Sequence, residues 1–149
     1  MSLKKLEFTI DIAAPAEAVW LALWEDATYR RWTSAFGAES HAISDWKEGS
    51  PIQFLGDANS GMAAVIERLI PNVQMTFRHQ GEMKEGQLVV APPQSEGGWA
   101  NAEESYFLSS NGSGTRLDVV LESLEAWSGF MEESFPKALA ILKDIAEGR

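Results

Sequence analysis

The residues in this sequence best suited to acid–base chemistry are two adjacent glutamates that shortly precede a tyrosine. Glu103 and Glu104 immediately precede Ser105, Tyr106 and Phe107, a segment typical of a strand. Because side chains alternate between the two faces of a strand, one carboxylate must face each side. An inward glutamate could act as a general acid or base. We interpret the pair instead as solvent-exposed charge at the start of a strand.

The two histidines, His41 and His79, do not form a recognisable metal site. Neither has a carboxylate neighbour at metal-ligand spacing, and Asp45 lies too far from His41 along a strand to form a compact site with it. The sequence has no phosphate-binding loop, nucleophile elbow or His-Glu-x-x-His motif. It also has no cysteine, which excludes disulfides and thiolate chemistry. We therefore expect no metal, no cofactor and no conventional catalytic residue.

Two adjacent charges interrupt an apolar strand. Glu67 and Arg68 lie within "MAAVIERLI", so one of them must point inward unless a β-bulge intervenes. An inward charge would need a partner or a water-filled cavity. We interpret both side chains as exposed.

Length and charge limit the classes of function. A chain of 149 residues predicts a single domain over 1–149. The net charge of −10 would repel a phosphate backbone, so we expect no nucleic-acid partner. No apolar run is long enough for a membrane span, and the first residues lack the continuous apolar segment of a signal peptide. We expect no membrane insertion and a cytoplasmic location.

The elements that must position these side chains can be predicted from periodicity. Residues 6–12 alternate as a half-buried strand, and "APAEAVWLALWED" changes to a helical period. Asp26 is expected to cap a second short helix, "ATYRRW". Strand signals then recur as far as Ser123, with "NGSG" as a strong hairpin turn. Residues 83–90 indicate a weaker strand or loop, and 91–98 a flap-like loop.

The remaining sequence predicts a long C-terminal helix. Pro136 should kink or restart it, and Gly148 should end it. Hairpin connections imply an antiparallel sheet with the helices on one face, which is an α+β fold.

Aromatic residues are the strongest signal in the sequence. If the strand parity is correct, Phe54, Phe77, His79 and Tyr106 share the concave face of the sheet with Met75. An imidazole and a phenol hydroxyl are poor choices for a dry core, which suggests a pocket.

Several segments resemble one known superfamily. "IDIAAPAEAVWLAL", "YRRW" and "WKEGSPIQF" are similar to the START-like helix-grip superfamily, also called SRPBCC. Within it, the chain most resembles the family named for homology to the activator of the heat-shock-protein-90 ATPase. "VIERLIPNVQMTFRH", "EESYFLSSNGSGTRLDVVLES" and "FPKALAILKDI" extend the resemblance over nearly the whole chain.

The resemblance implies a curved antiparallel sheet of about six or seven strands. This sheet wraps around the long C-terminal helix, with two short helices after the first strand and a cavity between sheet and helix. Trp32 and Trp46 correspond to scaffold positions, and Trp99 could make the 91–98 loop a lid. The residues that we expect to line the ligand cavity are Phe54, Met75, Phe77, His79, Trp99, Tyr106, Phe130 and Ser134.

Three functions follow as hypotheses. The first is binding of a small hydrophobic or aromatic ligand in this cavity, for transport, sequestration or sensing. The second is a cyclase- or dehydratase-like enzyme that uses His79, Tyr106 or an inward glutamate. The third is an acidic protein-interaction module of the co-chaperone kind. We favour the first, and a homodimer stays open.

Overall fold

The structure is a computed structural model that describes residues 3–148. Eight strands and three α-helices follow one another along the chain. The strands are β1 (Leu3–Ile12), β2 (His41–Ser44), β3 (Pro51–Leu55), β4 (Gly61–Ile70), β5 (Gln74–Lys84), β6 (Gln87–Val90), β7 (Ala102–Asn111) and β8 (Gly114–Leu124). The helices are α1 (Ala16–Trp24), α2 (Asp26–Trp32) and α3 (Glu125–Ala146).

All strands join one antiparallel sheet in the order β1-β8-β7-β5-β4-β3-β2. The short strand β6 pairs with the end of β5, beyond the stretch that pairs with β7. The expected α+β helix-grip fold is confirmed, with the weak strand signal near residue 87 supplying the eighth strand. The alternation in β1 is also confirmed, since Leu6 and Ile12 are buried while Glu7 and Asp11 are exposed.

Two register shifts, both in the β4–β5 pair, interrupt the ladder of hydrogen bonds. One shift leaves Glu67 without a partner residue, because Ile66 pairs with Phe77 and Arg68 with Thr76. This bulge allows Glu67 and Arg68 both to be exposed, as expected. The other shift falls beside His79. Bulges increase the local twist and bend a strand, so they help the sheet to curve around α3.

The short helices α1 and α2 are joined to each other and to the sheet by tryptophans. The Trp32 Nε1–H donates to the Leu23 carbonyl at 3.1 Å, and Trp32 is almost fully buried. Trp46 packs its ring 5.9 Å from that of Trp24. Both residues therefore hold the scaffold together. The expected cap from Asp26 is wrong, because this residue is the first of α2 and its carboxylate binds the Arg30 Nε–H at 3.0 Å instead.

Helix α3 runs without interruption through Pro136, so the expected restart there is wrong. Pro136 removes one N–H from the helix, and the carbonyl that would have accepted it belongs to Glu132, four residues earlier. Both residues are exposed, so water can replace the missing bond. The helix ends as expected before Gly148, which adopts φ +79°.

No helix within residues 3–148 is both long and apolar enough to cross a membrane.

Candidate functional site

A cavity of about 560 Å³ lies between the concave face of the sheet and α3. Its wall combines aromatic rings from α2 and the turn that follows it, the strands, the segment before β7 and the first half of α3. The aromatic lining residues are Tyr29, Trp32, Phe36, Phe54, Trp99, Tyr106, Trp127, Phe130 and Phe135. Trp127 and Phe130 are also among the most exposed large apolar side chains, with 59% and 45% of their surface accessible. Apolar surface therefore continues from the cavity to the exterior.

Five of the eight residues predicted for the cavity line it: Phe54, His79, Trp99, Tyr106 and Phe130. The other three, Met75, Phe77 and Ser134, are buried elsewhere in the core. Phe77 is covered by Trp24 of α1, with ring centroids 5.5 Å apart, and by Phe54 at 4.9 Å. Helix α1 thus fills the part of the concave face where Phe77 lies.

Tyr29, Trp32 and Phe36 also line the cavity, although they are not among the eight residues predicted for it. The spacing of Tyr29 and Trp32 was the available signal, because residues three apart share one face of a helix. That face packs toward the sheet, so it contributes to the cavity as well as to the core.

A hydrogen-bonded polar group in the wall is formed by His79, Glu104 and Tyr106. His79 Nε2 lies 2.9 Å from Glu104 Oε1, and the Tyr106 hydroxyl donates to Glu104 Oε2 at 2.5 Å. Glu104 and Tyr106 are two residues apart on β7, and His79 lies on the neighbouring strand β5. One carboxylate therefore accepts hydrogen bonds from two strands. Its side chain keeps 17% exposure and faces the cavity.

The interpretation of both adjacent glutamates as solvent-exposed is wrong for Glu104, because its side chain is largely buried and lines the cavity. It shares strand parity with Tyr106, already placed on the concave face, and this parity was the signal that could have identified it.

Glu103 faces the opposite side of the sheet, as alternation requires. It accepts a hydrogen bond from Ser105 Oγ at 2.5 Å and lies 4.0 Å from Arg78 Nη1. Arg78 also donates to Glu67 at 3.0 Å, so this outer carboxylate belongs to an ion-pair cluster.

The hydrogen-bonding pattern indicates the protonation of the polar group. A carboxylate that receives both a phenol O–H and an imidazole N–H fits the ionised form of Glu104, with the His79 proton on Nε2. His79 Nδ1 is then a bare acceptor; it is buried and has no hydrogen-bond partner among the described residues. A doubly protonated ring would instead bury a cationic N–H that nothing accepts, and this costs more than a bare neutral acceptor because unsatisfied charged groups carry the larger desolvation penalty. The neutral imidazole therefore fits this site best.

Both tyrosines of the chain lie in this region. Burial, together with the negative charge of Glu104 and the hydrogen bond to it, raises the pKa of Tyr106 well above its ordinary value. Burial and the Glu104 charge also raise the pKa of Tyr29. Both phenols therefore stay protonated at neutral pH.

Within residues 3–148, no group of three or more histidine and carboxylate side chains is arranged to hold a metal ion.

Solved structures with low sequence identity share this fold. The Aha1 dimer from Colwellia psychrerythraea aligns with a TM-score of 0.72 and 22% identity, over 97% of this chain and 96% of that one. CalU16 from Micromonospora echinospora aligns with a TM-score of 0.68 and 19% identity, over 97% of this chain and 76% of that one. The AHSA1-like protein from Aeromonas hydrophila aligns with a TM-score of 0.67 and 16% identity, over 97% of this chain and 93% of that one.

No curated protein matches this sequence. The sequence model of the family described as "Activator of Hsp90 ATPase homolog 1-like protein" does match, over residues 13–147. This match covers most of the chain and agrees with the fold, so the resemblance seen in the sequence is confirmed. The chain belongs to the Activator of Hsp90 ATPase homolog 1-like family.

Proposed function

We propose that this protein binds an apolar or aromatic small molecule in the cavity between the sheet and α3. The observation that carries the proposal is the cavity itself, about 560 Å³ in volume and walled largely by aromatic rings. Ligand pockets typically measure about 300–1,000 Å³ and combine an apolar lining with a few placed polar groups. Here Glu104, His79 and Tyr106 are those polar groups.

A thermal-shift screen against neutral apolar and aromatic compounds tests the proposal. A ligand present at one hundred times its dissociation constant should stabilise the fold by about 2.7 kcal/mol. For a chain of this length, we expect the melting temperature to rise by about 5–10 °C.

Two variants of α3 with the same new side chain separate cavity binding from surface binding. Met131 lines the cavity, whereas the Glu133 side chain is 75% exposed on the same helix. The Met131→Trp variant should fill the cavity and lose the shift, while Glu133→Trp should keep it. No shift with any compound of a broad panel, or equal shifts in both variants, would contradict binding in this cavity.

Acid–base catalysis in the same cavity is a second candidate, favoured by the hydrogen-bonded group of His79, Glu104 and Tyr106. A carboxylate that orients an imidazole is a common arrangement around a general base. In this structure, however, His79 Nε2 is engaged by Glu104 and Nδ1 is covered by protein. Neither nitrogen can reach a substrate without movement, so binding is the better-supported function.

Product analysis by mass spectrometry distinguishes the two candidates. Compounds that bind should be recovered unchanged after long incubation with the protein. If one is converted, a catalytic role for this group predicts that Glu104→Gln abolishes turnover while binding persists. Glu103→Gln is the matched control, since it removes the same charge from the opposite face.

Three further expectations stay predictions. The dimeric Aha1 from Colwellia supports a homodimer for this chain. The acidic protein-interaction role and the cytoplasmic location rest on composition and family resemblance.

A further inference from the structure

We infer that the ligand carries an alcohol, phenol or amine at its polar end, and that carboxylates and phosphates are rejected. This inference rests on the proposed binding function and adds the chemical class of the ligand. Glu104, as an ionised acceptor inside the cavity, is the residue that makes the selection.

Glu104 has acceptor capacity left after its two protein contacts. An ionised carboxylate offers about four lone-pair sites, and the contacts from His79 and Tyr106 occupy one on each oxygen. The side chain lines the cavity and keeps 17% of its surface accessible. A third hydrogen bond can therefore come from a molecule in the cavity, provided that this molecule has a donor to offer.

The cavity offers little to compensate a ligand anion. Among the described lining residues, Lys84 is the one with a permanent positive charge. Its side chain is 63% exposed and its Nζ lies 4.0 Å from Glu82 Oε1, so it is directed to the surface. The neutral form of His79 adds no positive charge beside Glu104. A second anion there would face an uncompensated carboxylate in a largely apolar space, which is strongly unfavourable.

The aromatic wall also favours a neutral or cationic polar group over an anion. Faces of Trp and Tyr rings attract cations and tolerate neutral groups, and Trp32, Trp99 and Trp127 all line the cavity. An ammonium group would therefore combine a charge-assisted hydrogen bond to Glu104 with nearby ring faces. A neutral alcohol or phenol would make the hydrogen bond alone.

Three probes with one apolar body test the inference: naphthylmethanol, naphthylmethylamine and naphthoate. Nile red, an uncharged dye without a donor group, reports separately whether the cavity takes up an apolar molecule. Affinities are measured by calorimetry for the wild-type protein, Glu104→Gln and Glu103→Gln. The last variant changes the net charge by the same amount on the other face of the sheet, so it corrects for the long-range attraction of an acidic protein for amines.

We expect the tighter of the two donor probes to bind wild type about tenfold or more tightly than naphthoate. Glu104→Gln should reduce this preference to less than about threefold, whereas Glu103→Gln should keep it. Equal binding of naphthoate in wild type, or a preference that survives Glu104→Gln, would overturn the inference while Nile red binding still supported the cavity. Failure of Nile red and of all three probes to bind would overturn the proposed function, and the inference with it.

Discussion

Replacement of Trp24 by alanine should reduce the free energy of unfolding by about 3–5 kcal/mol. Trp24 is 9% exposed, at the end of α1, where it joins the helices to the sheet. Its ring contacts six others with centroids 5.0–6.5 Å apart: Trp20, Tyr29, Trp32, Trp46, Phe77 and Tyr106. Truncation would therefore open a large void against several elements at once, and the rigid sheet can close only part of it.

Trp24→Phe is the matched control. The Trp24 Nε1–H is buried without an acceptor among the described residues, and an unmade hydrogen bond of this kind costs about 1–3 kcal/mol. Phenylalanine keeps a ring in place and removes this donor, so we expect it to cost less than half as much as alanine. Urea unfolding with comparable slopes for all variants measures both values. An alanine variant within about 1 kcal/mol of wild type would show that this cluster does not hold the fold together.

Alkaline pH should destabilise the protein steeply from about pH 10 upward. Burial, and then the charge of Glu104, raise the pKa of both Tyr29 and Tyr106 above the value they have in the unfolded chain. Above pH 10 the unfolded chain therefore releases protons that the folded protein retains. Their contribution to stability is complete below the unfolded pKa and is lost as the pH rises toward the folded pKa values. Each tyrosine should account for about 1.4 kcal/mol per pH unit in this range.

The sequence makes this expectation easy to measure, because Tyr29 and Tyr106 are the two tyrosines of the chain. Tyrosinate absorbance should stay absent in the folded protein above pH 10 and appear together with loss of far-UV circular dichroism. Tyr29→Phe and Tyr106→Phe should each roughly halve the pH slope that the tyrosines contribute. Ordinary titration of both phenols near pH 10 in the folded protein would contradict the burial on which this prediction depends.

Local sequence rules predicted most of the architecture because the elements are regular where the core is apolar. The alternation in β1 and the "NGSG" turn between β7 and β8 have simple periodic or turn signatures, and both are confirmed. The uninterrupted helix at Pro136 was not predicted, because a helix tolerates an internal proline when the carbonyl that loses its hydrogen bond is exposed to water. Here that carbonyl belongs to Glu132, and its exposure is known only from the folded structure.

The site was predicted less completely for a similar reason. Tyr106 and His79 were found from strand parity, but the contact between His79 and Glu104 depends on pairing between β5 and β7. The two strands are far apart in the sequence, so local patterns do not predict that they pair. A glutamate is also usually exposed. Phe77 was assigned to the cavity because the space filled by α1 cannot be read from strand parity. Met75 and Ser134 are likewise buried but do not line the cavity.

The distribution of the six tryptophans gives the protein two distinguishable optical signals. Trp20, Trp32 and Trp46 surround Trp24 closely enough for excitation to be shared among the four rings, so the near-ultraviolet dichroism of this group reports on the packing of helices against sheet. Trp99 and Trp127 lie outside that group, on the cavity wall, whereas Trp32 belongs to both. An occupant of the cavity should quench or shift the emission of Trp99 and Trp127, whereas unfolding should abolish the near-ultraviolet dichroism of the four-ring group. Ligand uptake and unfolding therefore differ in the optical signal that changes most, and both can be followed in one unlabelled sample.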